Sequence, residues 1–477
     1  MSHHFYITTT LPYVNADPHI GFGWEITEAD VIARYQRLMG NQVIFNTGTD
    51  EHGLKIYQKA LEAGQEPQAY TDEYAARFSA LRDLLDLSYT HFIRTTEEHH
   101  VRAAQAFWRR CRDNDDIYQA AYEVKYCVGC ELAKTESELV NGRCPLHPNL
   151  ELEIRTEENY YFRFSKYQSA LLDLYQNNPE FVKPPERFKE IISFVENGLQ
   201  DFSISRLKEN MPWGVPVPDD DSQVMYVWFD ALVNYISTLG WTGDDSAEST
   251  PTEFENYWPG LQVAGKDNLR QQSAMWQAML MSAKLPPSKQ ILINGFISVG
   301  GQKMSKSLGN VISPADLVER YGVDGARYTL LSLSVFNGDQ DVTWERFDTQ
   351  YTADLANGLG NLASRVAKMA EKTGLTYTGD SAVFDSGYLK LMNKHELTSA
   401  LQLTIDWVRE TDQFLSDKKP WLQEGEDQRR LLDQAVGQII KIAYHLQPFM
   451  PATAKKLLGH FTAPQISAMT PLFPRLG

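Results

Sequence analysis

The chain has 477 residues, of which 43% are apolar and 22% charged, and it carries a formal net charge of −17. Because one hydrophobic core seldom extends over so many residues, we expect two to four domains. The acidic balance argues against general affinity for nucleic acids, which depends on Lys and Arg, but it leaves room for a basic surface on one domain.

The N-terminal part of the chain predicts parallel β-structure. Residues 5–13 (FYITTTLPY) have the pattern of a buried strand that runs into a proline-containing turn. Residues 25–40 show the apolar spacing of an amphipathic helix that ends in glycine, and 41–53 predict a second strand followed by a polar loop. Strand, helix and strand with short connections form a βαβ unit and therefore a parallel sheet. Helices are predicted next, near 66–85 and 97–114.

The middle and the end of the chain predict different structures. Residues 120–165 contain short strand-like segments around a cluster of cysteines, which indicates an insertion. The α/β pattern resumes at 223–237 and continues through 324–334. Beyond about residue 350 the strand patterns stop, and helices with apolar stripes predict a helical bundle.

A glycine-flanked histidine stands at the first strand-to-helix junction, where residues 18–23 read PHIGFG. Ligands of doubly wound sheets bind beyond the carboxyl ends of the strands. Gly21 and Gly23 would let the backbone approach a ligand closely, and a helix N-terminus offers N–H groups that suit phosphate. His19 could add a donor. A turn histidine without a ligand is the alternative, and an isolated motif of this kind would favour it.

A second motif, GGQKMSKSLGN, occupies residues 300–310. Its lysines, serines and glycines predict a mobile loop rich in hydrogen-bond donors, which suits a polyphosphate. The sequence has no G-x-x-x-x-G-K-[ST] loop, so an ATP site must be built in another way. A solvated basic loop is the alternative, but the KMSKS pattern is too specific for that interpretation.

A third motif has the spacing of a metal site. Cys127 and Cys130 form C-x2-C, and Cys144 and His147 form C-x2-H. Three thiolates and one imidazole on two knuckles suit one tetrahedral Zn²⁺, and since no coordination position is left open, the site is predicted to be structural. Cys111 stands apart and is expected in the core.

No segment of the sequence predicts export or membrane insertion. The start, MSHHFYITTT, has no basic region followed by an apolar one, and no run of apolar residues is long enough to span a bilayer. Four cysteines in a chain of this length do not form a disulfide scaffold. We therefore expect a reducing, cytoplasmic location and no membrane partner.

Together these motifs resemble the class I aminoacyl-tRNA synthetases, whose signatures are His-Ile-Gly-His and KMSKS, and among them the methionyl-tRNA synthetases. Segments in the family's order run along essentially the whole chain: TLPYVNADPHIG, RYQRLMG, TGTDEHG, SISR, YVWFDAL, GKD, KMSKSLGN, NLASR and KKPW. The resemblance implies an α/β fold, with a Rossmann-like catalytic domain, a zinc-knuckle insertion and a C-terminal α-helical bundle. The expected division is the first catalytic half at 1–115, the connective insertion with the zinc knuckle at 116–195, the second catalytic half with the KMSKS loop at 196–345, and an anticodon-binding-type bundle at 346–477.

The resemblance implies an ATP-dependent ligase that converts an amino acid and MgATP to aminoacyl-AMP and pyrophosphate. His19, Lys303 and Lys306 would be the catalytic residues, the lysines stabilising the pyrophosphate as it leaves. The expected ATP-binding residues are His19, Gly21, Gly23, Lys303, Met304, Ser305 and Lys306. Asp50 would bind the substrate ammonium through a charge-assisted hydrogen bond. The remaining amino-acid-binding residues would be Leu11, Tyr13, Trp228, Ala231, Tyr235, Asn268, Gln271 and Gln272.

The resemblance also implies an anticodon-binding face made by Asn361, Arg365 and Trp421. A tryptophan can stack on an unpaired base, while Arg and Asn can bind base edges, as in the recognition of single-stranded RNA. The alternative is that Trp421 and Asn361 only cap and pack helices.

The sequence departs from the family at three expected histidines. Phe22 replaces the second histidine of the first signature, and removal of one donor aimed at developing charge costs about 10²–10³ in rate. Asn294 stands where the family usually has the histidine of His-Gly-Phe. Gln272 stands where a histidine usually lines the amino-acid pocket.

Asn268, Gln271 and Gln272 begin a predicted helix face that Met275 and Met279 continue. Around the thioether of a methionine substrate, unpaired amides would cost about 1–3 kcal/mol each, so the pocket suits a polar side chain better. Alternatively, the amides face solvent or bond one another. The sequence leaves both interpretations open.

Two activities share this first half-reaction. The first is a methionine–tRNA ligase, favoured by Asn361, Arg365 and Trp421. The second is a paralogue that activates a different, polar amino acid and transfers it to a small-molecule nucleophile, as in hydrazine-type natural product biosynthesis with a cupin-type partner. Phe22, Gln272, Asn294 and the amide-rich helix face favour the second. A catalytically inactive tRNA-binding or regulatory protein is a weaker hypothesis, because the KMSKS loop is intact.

Overall fold

The computed structural model describes residues 3–127, 132–134, 139–145, 149, 151–243, 252–304, 310–333, 336, 338–379 and 382–476, with the backbone alone for 122–124, 126–127, 132–134, 155–156 and 303. The N-terminal part supplies one half of a parallel sheet and the helices that cover it. Its elements are β1 (His4–Thr8), α1 (Ile20–Leu38), β2 (Gln42–Thr49), α2 (Leu54–Glu62), α3 (Pro67–Ser79), α4 (Leu81–Leu84), β3 (His91–Arg94) and α5 (Glu98–Asp113).

The middle of the chain adds antiparallel structure. Its elements are β4 (Ile117–Cys127), β5 (Leu132–Lys134), β6 (Glu153–Phe162), a 3₁₀ turn (Phe164–Tyr167), α6 (Gln168–Asn177), β7 (Val182–Lys183), α7 (Pro185–Glu196), β8 (Phe202–Ser203), β9 (Ser205–Leu207), β10 (Pro216–Val217) and β11 (Asp220–Met225). Strands β5, β4, β6 and β8 form one sheet in that order, and β10, β11 and β9 form another.

The second α/β part carries the KMSKS segment. Its elements are α8 (Val227–Ala231), α9 (Asn234–Ser237), α10 (Glu253–Tyr257), β12 (Leu261–Gly265), a 3₁₀ turn (Lys266–Asn268), a π-helical turn (Gln271–Met275), α11 (Trp276–Ser282), β13 (Gln290–Asn294), β14 (Ile297–Val299), β15 (Gln302–Lys303), α12 (Pro314–Leu331) and β16 (Gln340–Val342). Strand β14 pairs with β15 in an antiparallel and with β16 in a parallel arrangement.

The C-terminal part is helical, as the sequence predicts. Its elements are α13 (Trp344–Gln350), a π-helical segment (Tyr351–Gly360), α14 (Asn361–Thr373), α15 (Ser386–Asn393), α16 (Leu397–Lys418), a 3₁₀ turn (Pro420–Leu422), α17 (Gly425–Leu446) and α18 (Pro451–Phe461). Of the helices described, none is both long and apolar enough to cross a membrane.

Strands from both halves form one parallel sheet in the order β3-β2-β1-β12-β13-β7, six strands in the part of the chain that the structure describes. Strand β1 lies between the halves, with Ile7 opposite both Phe45 of β2 and Leu261 of β12. The strand order reverses beside β1, and such a switch point opens a crevice at the carboxyl ends of the strands where ligands bind. The predicted α/β fold is confirmed.

Some local predictions differ from the structure. The strand predicted within 223–237 is β11, which is antiparallel to β9 and β10 and lies outside the parallel sheet. Strand β7 falls in the range predicted as the insertion but pairs with β13 of the parallel sheet. The periodicity of a short apolar run does not specify its pairing partner, which explains both differences. The domain boundaries themselves stay a prediction.

Helix α1 is anchored at both ends. It starts at Ile20, five residues before the predicted start, and its C-terminal stop is as predicted, since Gly40 has φ +84° after the cap at Met39. At its middle, fully buried Asp30 pairs with fully buried Arg327 of α12 at 2.8 Å. The Arg327 guanidinium also donates to the carbonyls of Leu85, Pro448 and Phe449, so one side chain connects α1 to the helical bundle.

Candidate active site

His19 caps the N-terminus of α1 at the switch point of the sheet. Its Nδ1 accepts a hydrogen bond from the backbone N–H of Gly21 at 3.0 Å. Because Nδ1 is the acceptor, the neutral ring carries its proton on Nε2, which is free to donate to a ligand. His19 is exposed, but the surrounding protein removes its ring from water in part, which lowers its pKa, and the negative charge of Asp267 opposes that shift.

The KMSKS segment meets α1 at this cap. The backbone N–H of Ile20 donates to the carbonyl of Ile312 at 3.0 Å. A Cβ at Gly21 would lie 4.0 Å from the methyl group of Met304 and only 2.8 Å from Cε1 of His19. A Cβ at Gly23 would lie 3.0 Å from Pro314 at the start of α12. Gly21 therefore leaves room for the His19 ring over the first turn of α1, and Gly23 permits the close packing of α1 against the start of α12. Both reasons are additional to the ligand approach inferred from the sequence.

Part of the predicted ATP and metal sites lies outside the described residues. Ser305 and Lys306 belong to that part, as do Cys130 and His147. The backbone of Lys303 lies in β15 opposite Ser298. The side chain of Cys144 is buried, and it directly follows a turn whose ends, Val140 and Arg143, form a β-bridge. The predicted zinc ligands therefore stay a prediction.

Asp50 lies buried at the end of β2, and a β-bridge pairs its backbone with Tyr13. Among the described residues, its Oδ1 atom has no hydrogen-bond partner. Burial raises the pKa of Asp50 well above its ordinary value, and the negative charge of Asp230 raises it further. A cation placed beside this carboxyl would offset both effects, which is what a substrate ammonium group provides.

Asp230 belongs to a buried network that the sequence did not reveal. His52 Nδ1 lies 2.9 Å from one carboxylate oxygen of Asp230 and His100 Nε2 lies 3.3 Å from the other, while His100 Nδ1 contacts the hydroxyl of Ser237 at 2.9 Å. Although burial opposes ionisation, the two histidines hold the pKa of Asp230 below its ordinary value. A fixed negative charge therefore lies close to Asp50.

The predicted side-chain pocket brings two helices together. Trp228 is 39% exposed on α8, and Ala231 and Tyr235 are buried. Leu11 and Tyr13 are half-buried. Gln272 is buried, and its Nε2 donates to the hydroxyl of Tyr235 at 2.6 Å. The structure thus joins the predicted residues of the YVWFDAL segment and of the amide-rich helix.

The amide-rich segment is not a regular α-helix. It begins as a 3₁₀ turn and continues as the π-helical turn Gln271–Met275. Asn268 and Gln271 are half-buried, while Met275 and Met279 are buried as the apolar pattern predicts. The ring of Trp276, which the sequence analysis did not include, lies 5.9 Å from that of Tyr235. Trp276 lies four residues after Gln272, and this helical spacing was the signal in the sequence that could have identified it.

Glu25 is a further buried acid beside the nucleotide end of the site. Its Oε1 accepts hydrogen bonds from the backbone N–H and the hydroxyl of Thr10, at 2.7 and 2.6 Å. Burial raises its pKa to about 7, against the opposing effect of those hydrogen bonds. The sequence predicted only an amphipathic helix at Glu25, because no local pattern shows that Thr10 lies against this carboxyl.

Two of the three departures from the family pattern, Phe22 and Asn294, have partners within the protein. Phe22 is buried, with its ring 5.6 Å from that of Phe78 in an edge-to-face arrangement, so it packs in the core between α1 and α3. The amide of Asn294 donates to the carboxylate of buried Glu28, and its oxygen accepts from the backbone N–H of Phe336 at 3.1 Å.

The residues predicted to bind an anticodon lie at one surface. Asn361 and Arg365 are one turn apart on α14. The Arg365 guanidinium lies 5.7 Å from the centre of the Trp421 ring and pairs with Asp412. Trp421 is 45% exposed, so its ring is not taken up by helix packing. This face combines an accessible aromatic ring with a cation and a carboxamide.

Comparison with known proteins gives consistent results. A family profile described as "tRNA synthetases class I (M)" matches residues 5–151 and 148–367. The chain is 43% identical over 484 residues to a methionine–tRNA ligase from Thermosynechococcus vestitus, covering 96% of this chain and 90% of that protein. It is 39% identical over 475 residues to a methionine–tRNA ligase from Thermotoga maritima, covering 95% and 74%.

Solved structures agree with the sequence matches. Mycobacterium tuberculosis methionyl-tRNA synthetase in complex with methionyl-adenylate superposes with a TM-score of 0.86 at 35% identity, covering 100% of this chain and 99% of that one. The apo form of the same enzyme superposes with a TM-score of 0.80 at 30% identity, covering 100% and 99%.

Proposed function

The chain belongs to the class I tRNA synthetases of the methionyl type, and we propose that it activates an amino acid with ATP and transfers the aminoacyl group to tRNA. It is an ATP-dependent ligase of the adenylate-forming kind. The observation that carries the proposal is the meeting of the two signature motifs, where Ile20 bonds Ile312 and the side chain of Met304 lies beside Gly21.

At the nucleotide end, Nε2–H of His19 supplies a hydrogen-bond donor to the ATP phosphates, and the N-terminus of α1, whose first N–H groups are bonded within the protein, contributes its partial positive charge. The rate increase would come from positioning and from donors aimed at developing charge, with no covalent intermediate on the protein. Lys303 and Lys306 are the residues we propose for the departing pyrophosphate, as their motif implies. Mg²⁺ would neutralise part of the negative charge of the phosphates.

At the amino-acid end, Asp50 binds the substrate ammonium. An ammonium ion beside Asp50 would favour the ionised carboxylate, so binding of the amino acid is coupled to loss of the Asp50 proton. Asp230 adds a second negative charge and is held in place by His52 and His100. The substrate carboxylate would then point towards α1, where the α-phosphate of ATP must lie for adenylate formation.

We propose tRNA as the acceptor because Asn361, Arg365 and Trp421 form one accessible face. Charging of tRNA with a radioactive amino acid in the presence of ATP tests this step. Trp421→Ala should reduce tRNA charging, because stacking on one base contributes about 1–3 kcal/mol. Adenylate formation should be unchanged, because it does not require tRNA. Equal loss of both activities would contradict the assigned role of Trp421.

Methionine is the substrate that the names of the relatives suggest, and it is the first amino acid to test. A structural Zn²⁺ on Cys127, Cys130, Cys144 and His147, and the cytoplasmic location, stay predictions. The relatives and solved structures described above are named as methionine–tRNA ligases or methionyl-tRNA synthetases, and none of these names indicates a small-molecule acceptor or a cupin-type partner, so the tRNA ligase is the function proposed.

A further inference from the structure

The π-helical turn Gln271–Met275 interrupts the regular hydrogen bonding of the segment that leads into α11. In a regular α-helix the backbone N–H of Trp276 would bond the carbonyl of Gln272, four residues earlier. Here that N–H bonds the carbonyl of Gln271, five residues earlier. Since Gln272 is buried, its carbonyl requires a donor from elsewhere in the protein.

Buried side chains donate to the carbonyls of this turn. Nε2 of Gln277 donates to the carbonyl of Gln272 at 2.7 Å. The hydroxyl of Tyr175, on α6, donates to the carbonyl of the next residue, Ser273, at 2.6 Å. Gln277 and Tyr175 are both buried, so removal of either donor would leave a carbonyl unpaired away from water.

The rest of the Gln277 amide is attached to the parallel sheet. Its Oε1 accepts from the backbone N–H of Ser288, just before β13, at 2.9 Å, and its Nε2 lies 3.0 Å from the Ser288 hydroxyl. That hydroxyl donates to Oε1 of Gln262, on β12, at 2.7 Å. A backbone N–H only donates and a carbonyl only accepts, so the two backbone partners fix which end of the amide faces the turn.

The π-helical turn also carries part of the proposed amino-acid pocket. Nε2 of Gln272 donates to the hydroxyl of Tyr235 at 2.6 Å, and the ring of Trp276 lies 5.9 Å from that of Tyr235. A π-helical turn is wider than an α-helical one, so conversion to a regular helix would rotate Gln272 relative to Trp276. The bonds from Gln277 and Tyr175 oppose that conversion.

We propose that Gln277 is a positioning residue for the amino-acid pocket, which holds the π-helical turn in place against β12 and β13. It acts through Gln272 and Tyr235, and Tyr175 supports the same turn from α6. This inference rests on the proposed function, because it assumes that Gln272 and Tyr235 line the pocket for the amino acid.

ATP–pyrophosphate exchange by the full chain, with the amino acid that supports it best, tests the inference. Gln277→Met keeps the length of the side chain and removes its amide. We expect the KM for the amino acid to rise ~10-fold, because loss of one buried hydrogen bond corresponds to up to about tenfold in an equilibrium constant. The KM for ATP should be unchanged. Tyr175→Phe should also raise the KM for the amino acid, since it removes the other donor to the turn.

Ser288→Ala is the matched control for a loss of stability alone. It removes the hydroxyl shared with Gln277 and Gln262 but retains the Ser288 N–H and the bond from Gln277 to the turn. In urea denaturation, Gln277→Met and Ser288→Ala should both lower the free energy of unfolding, whereas only the former should raise the KM for the amino acid.

An amino-acid KM that Gln277→Met leaves unchanged, or that Ser288→Ala raises equally, would overturn the proposal. If Gln277→Met does not fold, Tyr175→Phe decides, and an unchanged KM for the amino acid in that variant would overturn the proposal.

The role of Gln277 and the proposed function fail in different ways. Calorimetric binding of methionine without ATP reports on the pocket without turnover. Binding weakened about tenfold by Gln277→Met, in a chain that shows no exchange, would support the role of Gln277 and contradict the proposed activity. Exchange with the same amino-acid KM in the wild type and in Gln277→Met would support the activity and overturn the role of Gln277. A chain that neither binds an amino acid nor catalyses exchange would overturn both.

Discussion

Nδ1 of His19 accepts a hydrogen bond from the backbone N–H of Gly21 at 3.0 Å, so the ring that begins the PHIGFG motif also caps helix α1. This bond fixes the tautomer and leaves Nε2–H as the donor that faces the nucleotide end of the site. One side chain therefore combines a structural role with the proposed catalytic role, and suitable variants separate the two.

His19→Asn and His19→Ala should both lower amino-acid-dependent ATP–pyrophosphate exchange by about 10²–10³, since neither reaches the phosphates. Asn is a good N-cap and should keep the free energy of unfolding near that of the wild type, whereas Ala should cost about 1 kcal/mol. Urea denaturation and exchange kinetics measure the two effects. Wild-type exchange by the Asn variant would show that Nε2 is not a catalytic donor.

Asp50 should release a proton when the amino acid binds. Its raised pKa favours the protonated carboxyl in the empty site, and the bound ammonium requires the carboxylate, so the dissociation constant should fall as pH rises. Calorimetry in buffers of different ionisation enthalpy measures the number of protons released. Asp50→Asn should abolish the release and weaken binding. If the variant binds as tightly as the wild type, Asp50 does not hold the ammonium.

Glu25 should make the protein less stable as pH rises. Its pKa is about 7 in the folded chain against an ordinary value of 4.5. The unfolded chain therefore loses this proton first, and the stability present below pH 4.5 falls until pH 7, by about 3 kcal/mol for this group. Urea denaturation at the two pH values should show a smaller decrease in Glu25→Gln. Equal decreases in both proteins would refute the assignment.

Phe22→His should not restore a catalytic donor. Position 22 lies in the core against Phe78, so the new imidazole would be buried without a partner at a cost of about 1–3 kcal/mol. We expect lower stability and no gain in exchange rate. A tenfold faster exchange would mean that the side chain can turn towards the phosphates, and that Phe22 stands in place of a lost donor.

Much of the fold could be predicted from the sequence. The first βαβ unit, the late helical bundle and the Gly40 stop of α1 were predicted correctly, because each depends on local periodicity or on one backbone conformation. The start of α1 was predicted late, since two glycines in its first turn hide the helical pattern. The pairing partners of β7 and β11 come from distant segments and have no local signal.

Part of the candidate site could be predicted from the sequence. The resemblance selected residues that the structure brings together, including Tyr235 with Gln272 and Arg365 with Trp421. It did not select the network of Asp230 with His52 and His100, whose members are separated by 178 and 130 positions. It also could not show that Phe22 points into the core. Side-chain direction depends on packing against α3, which a motif does not encode.

The most direct measurement is ATP–pyrophosphate exchange by the purified chain with each amino acid in turn, repeated for Lys306→Ala. Our account predicts exchange that requires an amino acid and that falls about 10²–10³ in the variant, because the two signature motifs bind one nucleotide between them. A folded protein that shows no exchange with any amino acid, or exchange that Lys306→Ala leaves unchanged, would contradict it.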